Sequence, residues 1–179
     1  WGRSVYRMSV TTFAAISIGS YEIELKIFEI SPKTGIREMD RISHVIELGR
    51  DTYNKDKISF EMVDKLCGIL YDFSYIMKGY KVKAYRACAT IREAVNSKNV
   101  LDRVKVRTGL DIELLSNSEQ RFISYKAFSM QDEIIEQAMN ECTLLADIGS
   151  GSAQITLFNN GKLITTQNIR LGVLRVREL

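Results

Sequence analysis

Apolar and polar positions first fall into order at Phe13, where an apolar run to Ile18 reads as a strand that turns at Gly19-Ser20. Ile23, Leu25 and Ile27 then alternate with Glu24 and Lys26, the period of a half-buried strand running to Ile30. Pro32 to Gly35 supplies the next turn and Ile36 to Glu47 a third strand, so this part of the chain predicts a three-stranded meander. The period then changes. Phe60, Val63, Leu66, Leu70, Phe73 and Met77 recur at helical spacing behind Ser59, a plausible N-cap, until Gly79 closes the helix; the stripe reads as core.

Val82 to Cys88 reads as a strand, Ala89 to Ala94 as the start of a helix, and Val100 to Lys105 as a further short helix. Thr108-Gly109 leads into a strand from Asp111 to Leu115. Ser116 and Glu119 have capping-box spacing, predicting a helix through Phe128, with Met130 to Cys142 continuing helical. The strand Leu144-Leu145-Ala146 then opens onto Asp147-Ile148-Gly149-Ser150-Gly151-Ser152. Ile155 to Leu157 and Leu163 to Ile164 read as a hairpin around Asn159-Asn160-Gly161, followed by a strand from Thr166 to Ile169. The alternation of strands and helices is that of a mixed α/β protein.

Two of these segments, Ile16-Ser17-Ile18-Gly19-Ser20 and Asp147 to Ser152, look like two copies of one device about 130 residues apart: an apolar strand turning through a Gly-Ser tip into a second strand. In the second copy Asp147 stands at the mouth, before small residues whose backbone N–H groups can face a phosphate.

Composition narrows the classes. A net charge of +3 with no long basic run gives no footprint for nucleic acid or a membrane surface. No apolar stretch reaches bilayer length and no secretory signal is legible, so a cytoplasmic protein is expected. Cys67, Cys88 and Cys142, an odd number among apolar neighbours and without CxxC spacing, read as reduced core thiols. His44, the only histidine, excludes a His-rich zinc site and reads as a strand or loop residue. Residues 1–8 stand outside the pattern, as upstream or appended sequence, and the strand-like end at Leu179 without a turn or cap suggests a fragment. The expected organisation is a first lobe over residues 9–128, a connecting helix over 129–142 and the start of a second lobe over 143–179.

Five blocks, in order, resemble the exopolyphosphatase/guanosine pentaphosphate phosphatase (Ppx/GppA) family of the actin-like ATPase superfamily. Phe13 to Ser20 resembles the family's FAAIDIGSNS, Ala89 to Asn96 its ATxxxRxAxN, and Thr108 to Ser116 its TGLxIExISGxEEA. Ala146 to Ser152 resembles xDIGGGSTE, and Leu171 to Glu178 LGxVRLTE. The resemblance implies an α/β fold: an actin-like (ribonuclease H-like) lobe with a mixed sheet and flanking helices, plus the beginning of a second similar lobe. It implies a hydrolase of phosphoanhydrides, acting on inorganic polyphosphate or guanosine pentaphosphate with Mg²⁺, with a homodimer among the assemblies to expect. Gly19 and Ser20 would grip phosphate from one side and Gly149, Ser150, Gly151 and Ser152 from the other. Asp147 would hold Mg²⁺ and Arg92 would fork a phosphate oxygen.

The chain departs from the family pattern where chemistry is placed. Ser17 replaces an aspartate, Tyr21-Glu22 an Asn-Ser pair, and Ala153-Gln154 a Thr-Glu pair. The family's two consecutive glutamates, the second of which activates water, become Glu119-Gln120. An amide takes no proton at neutral pH, so Gln120 can orient a water and Glu119 is the candidate to replace the base, unless it serves only the capping box. Two functions follow: a phosphohydrolase with altered catalysis, or a non-catalytic relative that binds phosphate or nucleotide and regulates. A sugar or acetate kinase of the same superfamily is disfavoured, because the Ala89 to Asn96 and Thr108 to Ser116 blocks belong to the phosphatase branch.

Overall fold

The computed structural model describes residues 10–130, 137–138 and 140–177. Strands β1 (Thr11–Ile18), β2 (Glu22–Ser31) and β3 (Gly35–Val45) form the expected antiparallel meander. β4 (Ala84–Ala89) joins β1 in parallel and β5 (Glu113–Leu114) extends beyond it, in the order β3-β2-β1-β4-β5. Alternation decides the buried face: Ala14, Ile16 and Ile18 of β1 and Ile23, Leu25 and Ile27 of β2 are all at or near zero exposure. Helices α2 (Phe60–Gly79) and α3 (Ser97–Thr108) cover that face with Val63, Leu66, Leu70, Phe73, Met77, Val100 and Val104. Ser59 caps α2 as expected, its hydroxyl accepting the Met62 N–H at 3.4 Å. Phe60, read as core, is instead 76% exposed at the first turn, beneath the Arg103 guanidinium.

Two parts of the first sheet's surroundings differ from expectation. An eight-residue helix, α1 (Leu48–Lys55), follows β3 in a stretch to which the sequence reading assigns no element. Residues Ala89 to Ala94 do not start a helix: Ala89 completes β4, the Thr90 N–H donates to the Ile18 carbonyl, and buried Ile91 and Ala94 pin a turn into the core. The helix begins at Ser97, and Gly109 closes it with a φ of 73°, a left-handed conformation that favours glycine. Of the cysteines, only Cys67 is buried; Cys88 is half-buried and Cys142 exposed. His44 lies on β3, as expected.

Helix α4 (Asn117–Ser129) opens with the anticipated capping box. The expected helical continuation from Met130 to Cys142 falls largely outside the described residues, and Cys142 itself lies in a bend. A second sheet follows, β6 (Thr143–Ile148), β7 (Ala153–Asn159) and β8 (Lys162–Ile169), antiparallel throughout. β8 is one strand rather than two, because a register shift at Leu157/Phe158 absorbs the break in alternation. The inner side of this sheet packs on α4, where Tyr125 stacks on Phe158 of β7 with ring centroids 5.2 Å apart. The segment read as a strand-like end is a short helix, α5 (Val173–Arg177).

Candidate functional site

The two Gly-Ser devices have one construction. Each four-residue turn links an antiparallel pair, Ile18 to Ile23 in the first and Ile148 to Ala153 in the second. The glycine N–H closes each turn: Gly19 donates to the Glu22 carbonyl and Gly149 to the Ser152 carbonyl, both at 2.9 Å. A following segment backs each turn. Gly49 N–H donates to Ser20 O at 2.7 Å, and Val173 and Leu174 N–H groups donate to Gly149 O and Ser150 O at 3.1 and 2.9 Å. Gly149 therefore spends its N–H inside the turn, and the rest of the loop supplies the donors to a ligand.

Both turns open on one cleft of about 540 Å³, together with Arg92, Gln120 and Asp147. Tips and cleft therefore converge: Ser20 Oγ lies 3.5 Å from where a Cβ on Gly151 would stand. Ser17 and Asp147 hold equivalent places, two residues before the glycine, and each faces a partner directly across its ladder, Glu24 and Gln154 respectively. All four line the cleft. Glu24 is further held by Lys26 at 3.2 Å and Arg41 at 3.6 Å. A mostly apolar hollow of about 350 Å³ between α4 and the second sheet adjoins the cleft at Asp147 and Gln154.

Arg92 sits in the β4–α3 turn, half-buried, and donates through Nη1 to Gln120 Oε1 at 2.8 Å. Burial pulls its guanidinium below the ordinary arginine value, opposed by nearby Glu93; it remains a cation at neutral pH. Glu119 is not among the residues lining the cleft. Its carboxylate accepts the Ser116 N–H at 2.8 Å while its own N–H donates to Ser116 Oγ at 3.2 Å, and these bonds hold its pKa below the usual carboxylate value. Of the two roles the sequence left to Glu119, the structure displays the cap: three residues past Ser116, the helix turns its carboxylate back toward its own N-terminus. Glu113 of β5 pairs with Arg86 of β4 at 2.8 Å.

Sequence reasoning missed Glu24, Tyr53, Glu93 and Arg177 at the cleft. Tyr53 comes from the unanticipated α1, and Arg177 from α5, where it pairs with Glu47 at 2.6 Å and lowers the pKa of that carboxylate. The strand alternation alone could have flagged Glu24, since it places Glu24 opposite Ser17 on the uncovered face.

Comparison with known proteins bears on this geometry. The sequence model of the Ppx/GppA phosphatase family matches residues 27–179. The chain belongs to that family. Among solved structures, a Ppx/GppA family member from Aquifex aeolicus superposes with a TM-score of 0.74 at 22% identity, covering 95% of this chain and 54% of its own. An exopolyphosphatase from Cytophaga hutchinsonii gives 0.77 at 21% identity, over 94% of this chain and 53% of its own. A more distant likeness, 0.54 at 12% identity over 92% of this chain and 54% of its own, links it to the ethanolamine utilization protein EutJ from Carboxydothermus hydrogenoformans. In sequence, the chain is 21% identical over 173 residues to a bifunctional 3-dehydroquinate synthase/phosphatase from Fusobacterium nucleatum, covering 92% of this chain and 26% of that protein. The chain thus spans about half the length of the Ppx/GppA structures and about a quarter of that relative. The fold is α/β with a mixed sheet, that of the solved Ppx/GppA structures. Among the described residues no helix is long and apolar enough to cross a membrane.

Proposed function

We propose that the cleft of this Ppx/GppA family member holds a run of phosphoryl groups, from inorganic polyphosphate or a guanosine polyphosphate, and that the protein is a phosphohydrolase of the terminal phosphoanhydride. One observation carries the reading: two Gly-Ser turns of identical construction open on a single cleft that also contains Arg92 and Asp147. Ser20 grips non-bridging oxygens from one side and Ser150 to Ser152 from the other, Gly19 and Gly149 closing the turns that present them, with the Arg92 fork on a third oxygen. Hydrolysis then joins one water oxygen to the terminal phosphorus and breaks its bridging P–O bond, releasing phosphate and a chain shorter by one unit.

The donor set suits a hard cation. Asp147 and the serine hydroxyls are oxygen ligands, and among the described residues no three His, Cys, Asp or Glu side chains come together. Phosphate oxygens would therefore complete the shell of a Mg²⁺ held by Asp147, where the ion offsets phosphate charge. The chain's own residues do the rest: Arg92 positions phosphate and Gln120, braced by Arg92, orients the attacking water.

A second reading, binding without turnover, is favoured by the Arg92–Gln120 bond together with the commitment of Glu119 to its cap. Neither position offers a base, whose contribution is typically ~10²–10⁴-fold. Phosphate release from polyphosphate and from guanosine pentaphosphate in Mg²⁺ separates the readings. For the hydrolase, Gln120→Glu raises the rate on the order of 10²-fold. Binding that persists while Gln120→Glu stays silent selects the regulatory reading, and a wild-type chain that binds neither compound overturns both.

A further inference from the structure

The second loop is held by three side chains that the reading above leaves idle. Tyr53 sets its hydroxyl so close to Gly151 that a methyl group on that glycine would overlap it. The Arg175 guanidinium stacks 4.0 Å over the Tyr53 ring, donates through Nε to the Gly151 carbonyl at 3.2 Å, and pairs through Nη2 with Glu93. One cation thereby joins a ring from α1, a carboxylate from the β4–α3 turn and a carbonyl of the Gly-Ser loop. Absent side chains make the closure feasible. A Cβ on Gly49 would come within 2.9 to 3.0 Å of Ser20, Tyr53 and Leu174, and one on Gly172 would overlap the backbone of Ser150 and Gly151.

We propose that Tyr53, Arg175 and Glu93 form a clasp that keeps the 149–152 loop shut against α1, and that an incoming phosphate opens it. The ligand half of this inference rests on the proposed phosphate site; the clasp itself rests only on the contacts above. A phosphate offers the guanidinium a doubly charged, bidentate partner, whereas Gly151 offers one neutral carbonyl. Glu93 and the ligand thus compete for one cation. The Tyr53 hydroxyl occupies the space beside Gly151 that a phosphate oxygen needs for close approach to the loop. Opening moves Arg175 from holding the loop to holding the ligand.

The test uses the whole 179-residue chain. Amide hydrogen exchange of the 149–152 loop is measured without ligand, followed by calorimetry with inorganic tripolyphosphate and Mg²⁺. Tyr53→Phe keeps the ring under Arg175 and removes only the hydroxyl; Glu93→Gln keeps the size and removes the charge. Glu93→Gln, which removes the ion pair, should accelerate exchange of the loop about tenfold, Tyr53→Phe, which unplugs the space beside Gly151, should accelerate it less, and both should tighten tripolyphosphate binding up to about tenfold. Arg175→Lys should also accelerate exchange but weaken binding, since lysine lacks the fork. Protection of the β1 and β2 amides reports that each variant keeps its fold. Loop exchange unchanged in both Tyr53→Phe and Glu93→Gln overturns the clasp. Faster exchange with tighter binding supports it in full. Faster exchange with no tripolyphosphate bound by any form upholds the clasp and removes the phosphate-site reading instead.

Discussion

Arg92 and Gln120 lie 28 positions apart and meet at 2.8 Å, so the fate of each depends on the other. In the proposed complex Arg92 must serve both Gln120 and a phosphate oxygen, which a planar guanidinium with five donors can do. Arg92→Ala is expected to weaken tripolyphosphate binding by about 10- to 100-fold, the range for a charge-assisted hydrogen bond, read by calorimetry. An affinity equal to wild type would place Arg92 outside the ligand's path. Asp51 carries a second consequence at this scale. Burial pushes its pKa up, but hydrogen bonds from the Ser59 N–H at 2.9 Å and from Lys55 outweigh burial and hold it below the usual aspartate value. A lowered pKa means the folded state favours the carboxylate, so this contribution is complete above the unfolded-state value near pH 4 and fades as pH falls through the folded-state value. Asp51→Asn should cost about 1.5–3 kcal/mol at pH 7 and less under acid conditions, which chemical denaturation at several pH values measures.

Elements with strong local signals were legible; those assembled by distant contacts were not. The alternation of Ile23, Leu25 and Ile27 and the stripe from Val63 to Met77 placed β2 and α2 within a residue or two, because a buried face enforces its own period. Helix α1 is short and polar, and its entry at Glu47 has a left-handed φ of 52°. Two N–H groups, of Ile46 and Glu47, converge on the Tyr21 carbonyl, and no neighbouring residue announces that in the sequence. The Ala89 to Ala94 segment has good helix formers, yet its N–H groups go to Ile18 and to a turn, an override of propensity by tertiary contacts. The site divides the same way: its loops and Arg92 were visible as motifs, while Tyr53 and Arg175 needed the fold. For the cap that was read correctly, Ser116→Ala is expected to cost about 1 kcal/mol and fray the first turn of α4, seen as a lower melting temperature.

Across the whole molecule the two sheets repeat a strand order but not a covering. In the first, α2 and α3 seal the apolar face; in the second, Leu144 and Ile148 remain 64% and 68% exposed on the equivalent face. The isolated chain should therefore bind an environment-sensitive dye such as ANS, and Leu144→Thr with Ile148→Thr should reduce that fluorescence without lowering the melting temperature. The facing pairs beside the Gly-Ser turns have a further consequence. The second rung back from each tip carries a single acid, but on opposite rails: Glu24 across from Ser17, and Asp147 across from Gln154. The acid thus stands on the opposite strand in the two copies, a displacement of one strand spacing, about 4.8 Å. Exchanging Ser17 and Glu24 would leave the total charge alone, put the first copy's acid on the strand equivalent to that of Asp147, and shift the site offered to the proposed Mg²⁺.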